Sequence, residues 1–228
     1  MRQTKNEKQK PETVANRHAV LRLDGQRENE LLDIATEVFL EYGFNTASTN
    51  DIANRAHCSK ATLYTRYPTK KQLFTAVIER QMQELFGQFE AAVSCGLPIR
   101  QTLIRYGLAS LELCLSEKHR ELIKIISLES SKFPELGQQF NELGPARRQR
   151  FLQAYFKDQI QSGLLRDADP ALMAEQWWSL IFSEYLTPAF LGASIDCSAG
   201  LIRRRVEAAV DVFLRAYSPV EHNRTQKD

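Results

Sequence analysis

Apolar residues recur at helical spacing along most of the chain, and no segment between turn residues alternates between apolar and polar positions as a strand would. The pattern therefore predicts an all-α fold. The first clear helix ends near Gly43, and its apolar face consists of Leu31, Ala35, Val38, Phe39 and Tyr42. Further helices are predicted over 49–56, 59–66, 70–93, 99–117, 119–131, 146–162, 170–190 and 199–216.

Proline and glycine mark several of these boundaries. Pro145 and Pro170 stand where helices are predicted to begin, because the first turn of a helix does not need the N–H that proline lacks. Gly163 and Gly192 stand where helices are predicted to end.

The charge of the chain is unevenly distributed. The 228 residues include 30 Lys and Arg against 28 Asp and Glu, and a net charge of +2 does not by itself indicate a nucleic-acid binder. Residues 52–78, however, contain five basic residues and no acidic one. Such a basic island favours polyanion binding more than the total charge does. Its members are Arg55, Lys60, Arg66, Lys70 and Lys71.

The remaining composition excludes several classes of protein. Hydrophobic residues make up 43% and charged residues 25%, which excludes a disordered chain, a collagen-like fibre and a disulfide scaffold. Residues 1–18 lack the apolar run of a secretory signal, and no window resembles a membrane span, so we expect a cytoplasmic protein without a membrane partner. No metal site or cofactor is predicted, because no CxxC pair occurs among Cys58, Cys95, Cys114 and Cys197.

The helices predicted over 49–56 and 59–66 are short and joined by a tight turn, which makes them a helix-turn-helix candidate. The first helix must brace the second, and the second must be small or polar on its outer face to approach the major groove of DNA. The inward positions are Ile52, Ala53, Ala56 and Leu63.

The 44 residues from Leu31 to Phe74 resemble the DNA-binding domain of TetR/AcrR-type transcriptional regulators. The resemblance implies an N-terminal three-helix head that carries the helix-turn-helix, followed by a larger C-terminal helical domain for ligand binding and dimerisation. It rests on Ala35, Phe39, Gly43-Phe44, Ser48-Thr49, Asp51-Ile52-Ala53, Ala56, Ser59-Lys60-Ala61-Thr62-Leu63-Tyr64, Tyr67, Lys70 and Leu73-Phe74.

The predicted organisation follows from this resemblance. The helix-turn-helix DNA-binding domain covers 26–75, the ligand-binding and dimerisation domain covers 76–218, and a tail covers 219–228. Residues 1–25 are predicted to be a disordered basic arm, since they have no apolar period and contain six basic and two acidic residues through Arg22.

The resemblance also implies which residues contact DNA. Tyr64 and Lys70 would mainly bind phosphates, while the first residues of the second short helix would face base edges. The expected contacts are Thr49, Ser59, Lys60, Ala61, Thr62, Tyr64, Thr65, Arg66 and Lys70.

The chain departs from the family pattern at three sites, and these departures bear on the operator sequence rather than on the fold. His57-Cys58 replaces the usual Gly-Val of the turn, where a histidine at positive φ is tolerable. Ala61 replaces a common glycine. Arg66-Tyr67 replaces His-Phe and adds a charge suited to phosphate or guanine.

Residues 81–218 contain too many aromatic side chains to lie on a surface. At helical spacing they fit a packed core, and the family resemblance adds that they enclose an effector pocket. The segment from Phe133-Pro134-Glu135-Leu136 to Asp169-Pro170 resembles an AefR-like type of C-terminal domain. Few charges lie on the helix faces that carry the aromatic residues, which favours a lipophilic or aromatic effector. The candidate polar groups of the pocket are Tyr106, Cys114, Glu129, Trp178 and Tyr185.

The resemblance implies a homodimer formed by the last two helices, 170–190 and 199–216. Two heads on a pseudo-palindromic double-stranded operator discriminate better than one. The predicted function is therefore a homodimeric repressor that a small-molecule effector releases from DNA. A DNA-bound regulator or adaptor without a ligand stays open, because the same aromatic residues fit a core without a pocket.

An enzyme is the third hypothesis and the least favoured, and no catalytic residue is predicted. The chain has no glycine-rich phosphate loop. Its histidines have neither metal nor triad spacing; they are His18, His57, His119 and His222.

Overall fold

The computed structural model describes the backbone of residues 14–219 and the side chains from residue 25 onward, except those of residues 186 and 190. Regular structure in this part of the chain is helical throughout, which confirms the all-α prediction. Of the predicted tail, 219–228, only residue 219 lies within the described part of the chain. The helices are α1 Val14–Thr46, α2 Thr49–Arg55, α3 Lys60–Arg66, α4 Lys70–Ser94, α5 Ile99–Leu115, α6 Glu117–Glu129, α7 Pro134–Asn141, α8 Arg147–Gln161, α9 Pro170–Phe182, α10 Leu186–Phe190 and α11 Ala199–Tyr217.

Helix α1 begins at Val14, within the segment predicted as a disordered arm, and residues 1–13 of that segment lie outside the described residues. Between Val14 and Gly25 the sequence contains neither proline nor glycine, so no local signal stops a helix there. The predicted stop at Gly43 is confirmed, because its φ of +73° breaks the helical geometry and only one further turn follows.

The structure corrects two predicted boundaries in the second half. The helix predicted to begin near Pro145 continues instead from α7 through the π-helical segment Glu142–Ala146 into α8. A π-helical turn tolerates proline because its hydrogen bonds are already displaced from the α-helical register. The single helix predicted over 170–190 is divided into α9 and α10, because Pro188 would clash with the carbonyl of residue 184 in a continuous helix.

The larger of two hydrophobic cores lies among α5, α8, α9 and α11. In this core Trp177 and Phe213 meet edge to face with ring centroids 5.5 Å apart, and the ring centroid of Phe156 lies 4.9 Å from that of Phe213. All three side chains are essentially inaccessible to solvent. Most aromatic residues of this half are therefore core, as the packing interpretation expects.

The second core belongs to the head but extends beyond it. Phe39 and Phe74 pack edge to face at 4.8 Å, and Phe44 lies 5.1 Å from Phe74. Phe133, in the loop before α7, covers Phe44 at 5.6 Å. The same core also buries apolar side chains of α6 and α7, which are Leu122, Ile126 and Leu136. The head is thus packed directly on the helices that follow it.

Helices α5 and α11 approach closely at Gly107. A Cβ atom built on Gly107 would lie 2.7 Å from Cγ1 of Val206, a buried β-branched side chain with little freedom to move. Gly87 in α4 provides a matched site, since it is exposed and a Cβ there meets nothing within 4 Å.

We expect Gly107→Ala to lower the free energy of unfolding by about 1–2 kcal/mol, because overpacking outweighs the gain in helix propensity. Gly87→Ala should raise it by about 0.5–1 kcal/mol through propensity alone. Urea denaturation of both variants measures the difference. Equal stabilisation by the two substitutions would contradict the close approach.

Candidate functional site

Helices α2 and α3 form a helix-turn-helix, with the turn closed by backbone hydrogen bonds. The amide of Cys58 donates to the carbonyl of Ala53 at 3.0 Å, and His57 adopts a φ of +49°. A histidine tolerates this positive φ. Ile52, Ala53 and Leu63 are buried, so α2 braces α3 as the sequence predicts.

The outer face of α3 is exposed and ordered by its own side chains. Oγ of Ser59 accepts the backbone N–H of Thr62 at 3.0 Å and thereby caps the helix. The Thr65 hydroxyl donates to the carbonyl of Ala61 at 2.8 Å. Lys60, Ala61, Thr62 and Thr65 are all exposed, so every predicted base-facing position is accessible to a ligand.

Tyr64 connects this face to the start of α2. Its hydroxyl lies 2.9 Å from Oγ1 of Thr49, and Nζ of Lys60 lies 5.8 Å from the centre of its ring. The structure therefore brings Thr49, Lys60 and Tyr64 together in one surface patch. We call this patch, with Ser59, Ala61, Thr62 and Thr65, the α3 face.

Arg66 is bound to α1 in this structure. Its Nε donates to Oε1 of Glu28 at 2.9 Å, a second guanidinium nitrogen pairs with Oε2, and the Tyr67 hydroxyl donates to Oε1 at 2.7 Å. The hydrogen bonds from Arg66 hold the pKa of Glu28 below its usual range. No local sequence pattern points to Glu28, which is 38 residues from Arg66. The contact between Arg66 and DNA stays a prediction.

Lys70 is half-buried beneath the turn between α1 and α2. Its ammonium donates to the carbonyls of Asn45 at 2.7 Å and Ala47 at 3.1 Å, and it lies 5.2 Å from the ring centre of Phe44. Burial lowers the pKa of Lys70, and the nearby Glu129 carboxylate opposes that shift. Lys70 therefore fixes the turn that precedes Thr49, and its predicted contact with phosphate stays a prediction.

Residues 52–78 contain no acidic residue, but acidic residues from other parts of the chain lie beside the basic island in the fold. Arg55 pairs with Glu41 at 3.0 Å and with Asp51 at 2.9 Å, and Lys71 pairs with Glu135 at 3.4 Å. Arg66 pairs with Glu28, as described above. Lys60 is the member of the island that lies on the α3 face without an ion pair to any described residue.

A cavity of 220 Å³ lies in the C-terminal half, lined by side chains from α4 through α10. Cys114 and Trp178, two of the five predicted pocket residues, line it. Burial raises the pKa of the Cys114 thiol to about 12 and lowers the pKa of His119, which also lines the cavity, to about 4. Both groups are therefore neutral at pH 7.

The other three predicted pocket residues lie elsewhere. Tyr106 is buried in the core, 4.4 Å from Phe89 between ring centroids. Tyr185 lines a separate groove beside α11. Glu129 ends α6 near Lys70, with Oε2 buried and without a hydrogen-bond partner among the described residues. These residues were predicted because they lie among aromatic neighbours at helical spacing. Such spacing does not show which side of each helix faces the cavity, so it could not separate them from the residues that line it.

The cavity also contains residues that the sequence did not single out. Arg120 of α6 and Arg148 of α8 line it, and the guanidinium of Arg148 lies 3.5 Å from the ring centre of Trp178. In the described part of the chain, no cluster of three His, Cys, Asp or Glu residues could hold a metal ion. None of the described helices is long and apolar enough to cross a membrane.

Two family descriptions match the chain. "Bacterial regulatory proteins, tetR family" matches residues 31–77, which include α2, α3 and the α3 face. "AefR-like transcriptional repressor, C-terminal domain" matches residues 101–219, which include most of the cavity.

The chain is also similar to individual proteins. The flavonoid-responsive regulator FrrA superposes with a TM-score of 0.69 at 31% identity, over 86% of this chain and 99% of FrrA. A TetR-family transcriptional regulator from Mesorhizobium loti MAFF303099 superposes with a TM-score of 0.75 at 22% identity, over 86% of this chain and 98% of that chain. The HTH-type transcriptional regulator YhgD of Bacillus subtilis (strain 168) is 26% identical over 152 residues, which are 65% of this chain and 76% of YhgD.

Lys70→Met and Lys60→Met each remove one positive charge from the head, but only Lys70 holds backbone carbonyls. We expect Lys70→Met to lower the free energy of unfolding by about 1–3 kcal/mol, because two carbonyls lose a charged donor. The exposed Lys60→Met should change it by less than about 0.5 kcal/mol. Chemical denaturation measures both, and equal effects would contradict the anchoring role of Lys70.

Proposed function

This chain belongs to the tetR family of bacterial regulatory proteins, and we propose that it acts as a homodimeric repressor that an effector in the internal cavity releases from its operator. Its fold and matched domains make it a DNA-binding transcriptional regulator. The observation that carries the proposal is the exposed α3 face on a head whose core is shared with the walls of the cavity.

In the proposed complex, α3 lies in the major groove of operator DNA. Lys60, Ala61, Thr62 and Thr65 would face base edges, while Tyr64 and Thr49 would contact phosphate. Their exposure supports this assignment, as does the Ser59 cap that orders the first turn of α3. A protein that binds DNA in a bacterial cell works in the cytoplasm, which is the location we propose.

The proposed dimer forms through α9 and α11. A groove between these helices is lined mainly by small or apolar side chains, including Leu180, Ala208 and Val212. Leu201 and Val212 of α11 are 41% and 51% exposed. Apolar side chains exposed to this extent are more typical of an interaction surface than of a monomer. Packing this surface on its symmetry copy would bury both and would place two heads on successive major grooves.

In the proposed mechanism of release from DNA, α6 connects the cavity to the head because its side chains contact both. Leu122 and Ile126 pack in the core of the head, while Arg120 and Ile123 line the cavity. Helix α4 makes the same connection, since Phe74 and Phe86 both pack in the core of the head and Phe86 also lines the cavity. An effector that favours one position of these helices would shift the population of head spacings away from the spacing that fits DNA.

The effector-free regulator is the second candidate. It shares the DNA-binding head, and it predicts that no small molecule changes DNA affinity. The cavity favours the effector-responsive form, because well-packed interiors contain few voids larger than a water molecule.

The first test uses DNA from upstream of the protein's own gene in a fluorescence anisotropy titration. Tyr64→Ala should weaken binding by roughly tenfold, and Tyr64→Phe should weaken it less because the ring remains beside Lys60. Lys60→Gln should reduce the slope of log affinity against log salt by about one unit per head. Wild-type affinity in Tyr64→Ala would contradict the role of Tyr64, and absence of binding to any promoter DNA would overturn the proposed function.

The second test places a charge in the proposed dimer interface. Val212→Glu should sediment as a monomer and bind operator DNA roughly a hundredfold more weakly, because a single head loses the avidity of two. Leu128→Glu is the control, since Leu128 is 75% exposed on α6 and lies outside α9 and α11. A dimeric Val212→Glu variant, or a monomeric wild type, would contradict the proposed interface.

A further inference from the structure

We propose that the cavity binds a small carboxylic acid with an aromatic or short aliphatic body, and that Arg148 and Arg120 hold its carboxylate. This inference rests on the proposed function, because it names the chemical class of the effector. It is carried by two arginines that line one cavity without any carboxylate of the protein to neutralise them.

The body of the ligand follows from the apolar walls. Most of the lining is aliphatic or aromatic, including Met82, Leu85, Phe86, Ile123 and Phe140. At 220 Å³ the cavity exceeds the apolar cavity of about 150 Å³ that accommodates benzene in an engineered protein. There is thus room for one aromatic ring, or a short alkyl chain, together with a small polar group.

Arg148 supplies the first unpaired cation. Its guanidinium stacks on Trp178 at 3.5 Å, but Nε is buried without a hydrogen-bond partner, and no described residue forms an ion pair with it. The neighbouring Tyr106 and Cys114 are held in their neutral forms by burial, which raises the pKa of both. Arg148 is half-buried, and a cation partly removed from water without a counter-charge is costly, a cost that the aromatic ring offsets only in part.

Arg120 supplies the second cation from a different helix. Its Nε is also buried without a partner, and it forms no ion pair within the described part of the chain. No aspartate or glutamate is among the residues that line the cavity. His119 adds no charge, because burial keeps it neutral at pH 7.

An acid completes this site, whereas a neutral or cationic ligand does not. A carboxylate accepts two parallel hydrogen bonds from a guanidinium, which would satisfy donors that are now unpaired. An amine would place a second positive charge beside Arg148, and an amide would leave the charge uncompensated. The site therefore selects acids by penalising their neutral and cationic analogues.

The test compares three probes that share one body: 3-phenylpropionate, 3-phenylpropionamide and 3-phenylpropylamine. Calorimetry and thermal unfolding of the full chain should detect binding of the acid, and the amide and amine should bind at least about tenfold more weakly. Arg148→Gln and Arg120→Gln should each weaken binding of the acid by roughly tenfold or more. Arg150→Gln is the control, since Arg150 is exposed on α8, pairs with Glu142 at 3.2 Å and does not line the cavity.

Equal binding of the acid and the amide, wild-type affinity in both cavity variants, or no binding of the acid would each overturn the proposal. Operator affinity measured on the same samples separates this inference from the proposed function. If the acid binds through the arginines but leaves DNA affinity unchanged, the acid site stands and release by an effector fails. If the protein binds no DNA, the regulatory function fails and the calorimetric result still decides the acid site.

Discussion

The head of this protein does not complete its own hydrophobic core. Phe39, Phe44 and Phe74 form an aromatic cluster at the junction of α1 and α4, and part of its cover comes from Phe133 and from the apolar side chains of α6 and α7. Removing that cover would expose aromatic surface to water, which is the dominant cost in an interior of this kind. The orientation of the helix-turn-helix is therefore determined by helices that lie outside it.

This constraint connects the head to the C-terminal half that contains the cavity. Helix α4 takes part in both cores, with Phe74 and Val77 in the head core and Leu85 and Phe89 in the larger one. Packed interiors shift between discrete arrangements rather than deforming continuously, so the proposed release mechanism requires that movement of α4 or α6 at the cavity would displace the head as a unit. The polar contact between Thr75 and Gln139, at 2.6 Å, adds a directional link between α4 and α7.

Local features of the sequence predicted the helices and the exposure of the α3 face, because these features depend on neighbours along the chain. Helical periodicity, the Ser59 cap and the stop at Gly43 are all encoded within one or two turns. The partners of Arg66 and Lys70 could not be predicted in this way, since Glu28 and the carbonyl of Asn45 are 38 and 25 residues distant. Similarly, the sequence indicated a polar-poor pocket but not that α6 and α8 would turn Arg120 and Arg148 into the same cavity.

The partners of each basic side chain indicate whether it stabilises the fold or is available to bind a ligand. The charge along the sequence does not make this distinction. In the basic island, carboxylates bind Arg55, Arg66 and Lys71, and carbonyls bind Lys70, so these side chains stabilise the head. Lys60 lies exposed on the α3 face, where water solvates it at little cost and a polyanion can replace that water. Arg148 is different, because it is half-buried, its Nε has no hydrogen-bond partner, and its guanidinium lies against the face of Trp178. An exposed unpaired cation suits an extended polyanion of any sequence, whereas a half-buried cation in a cavity wall suits a single discrete anion that fits the cavity.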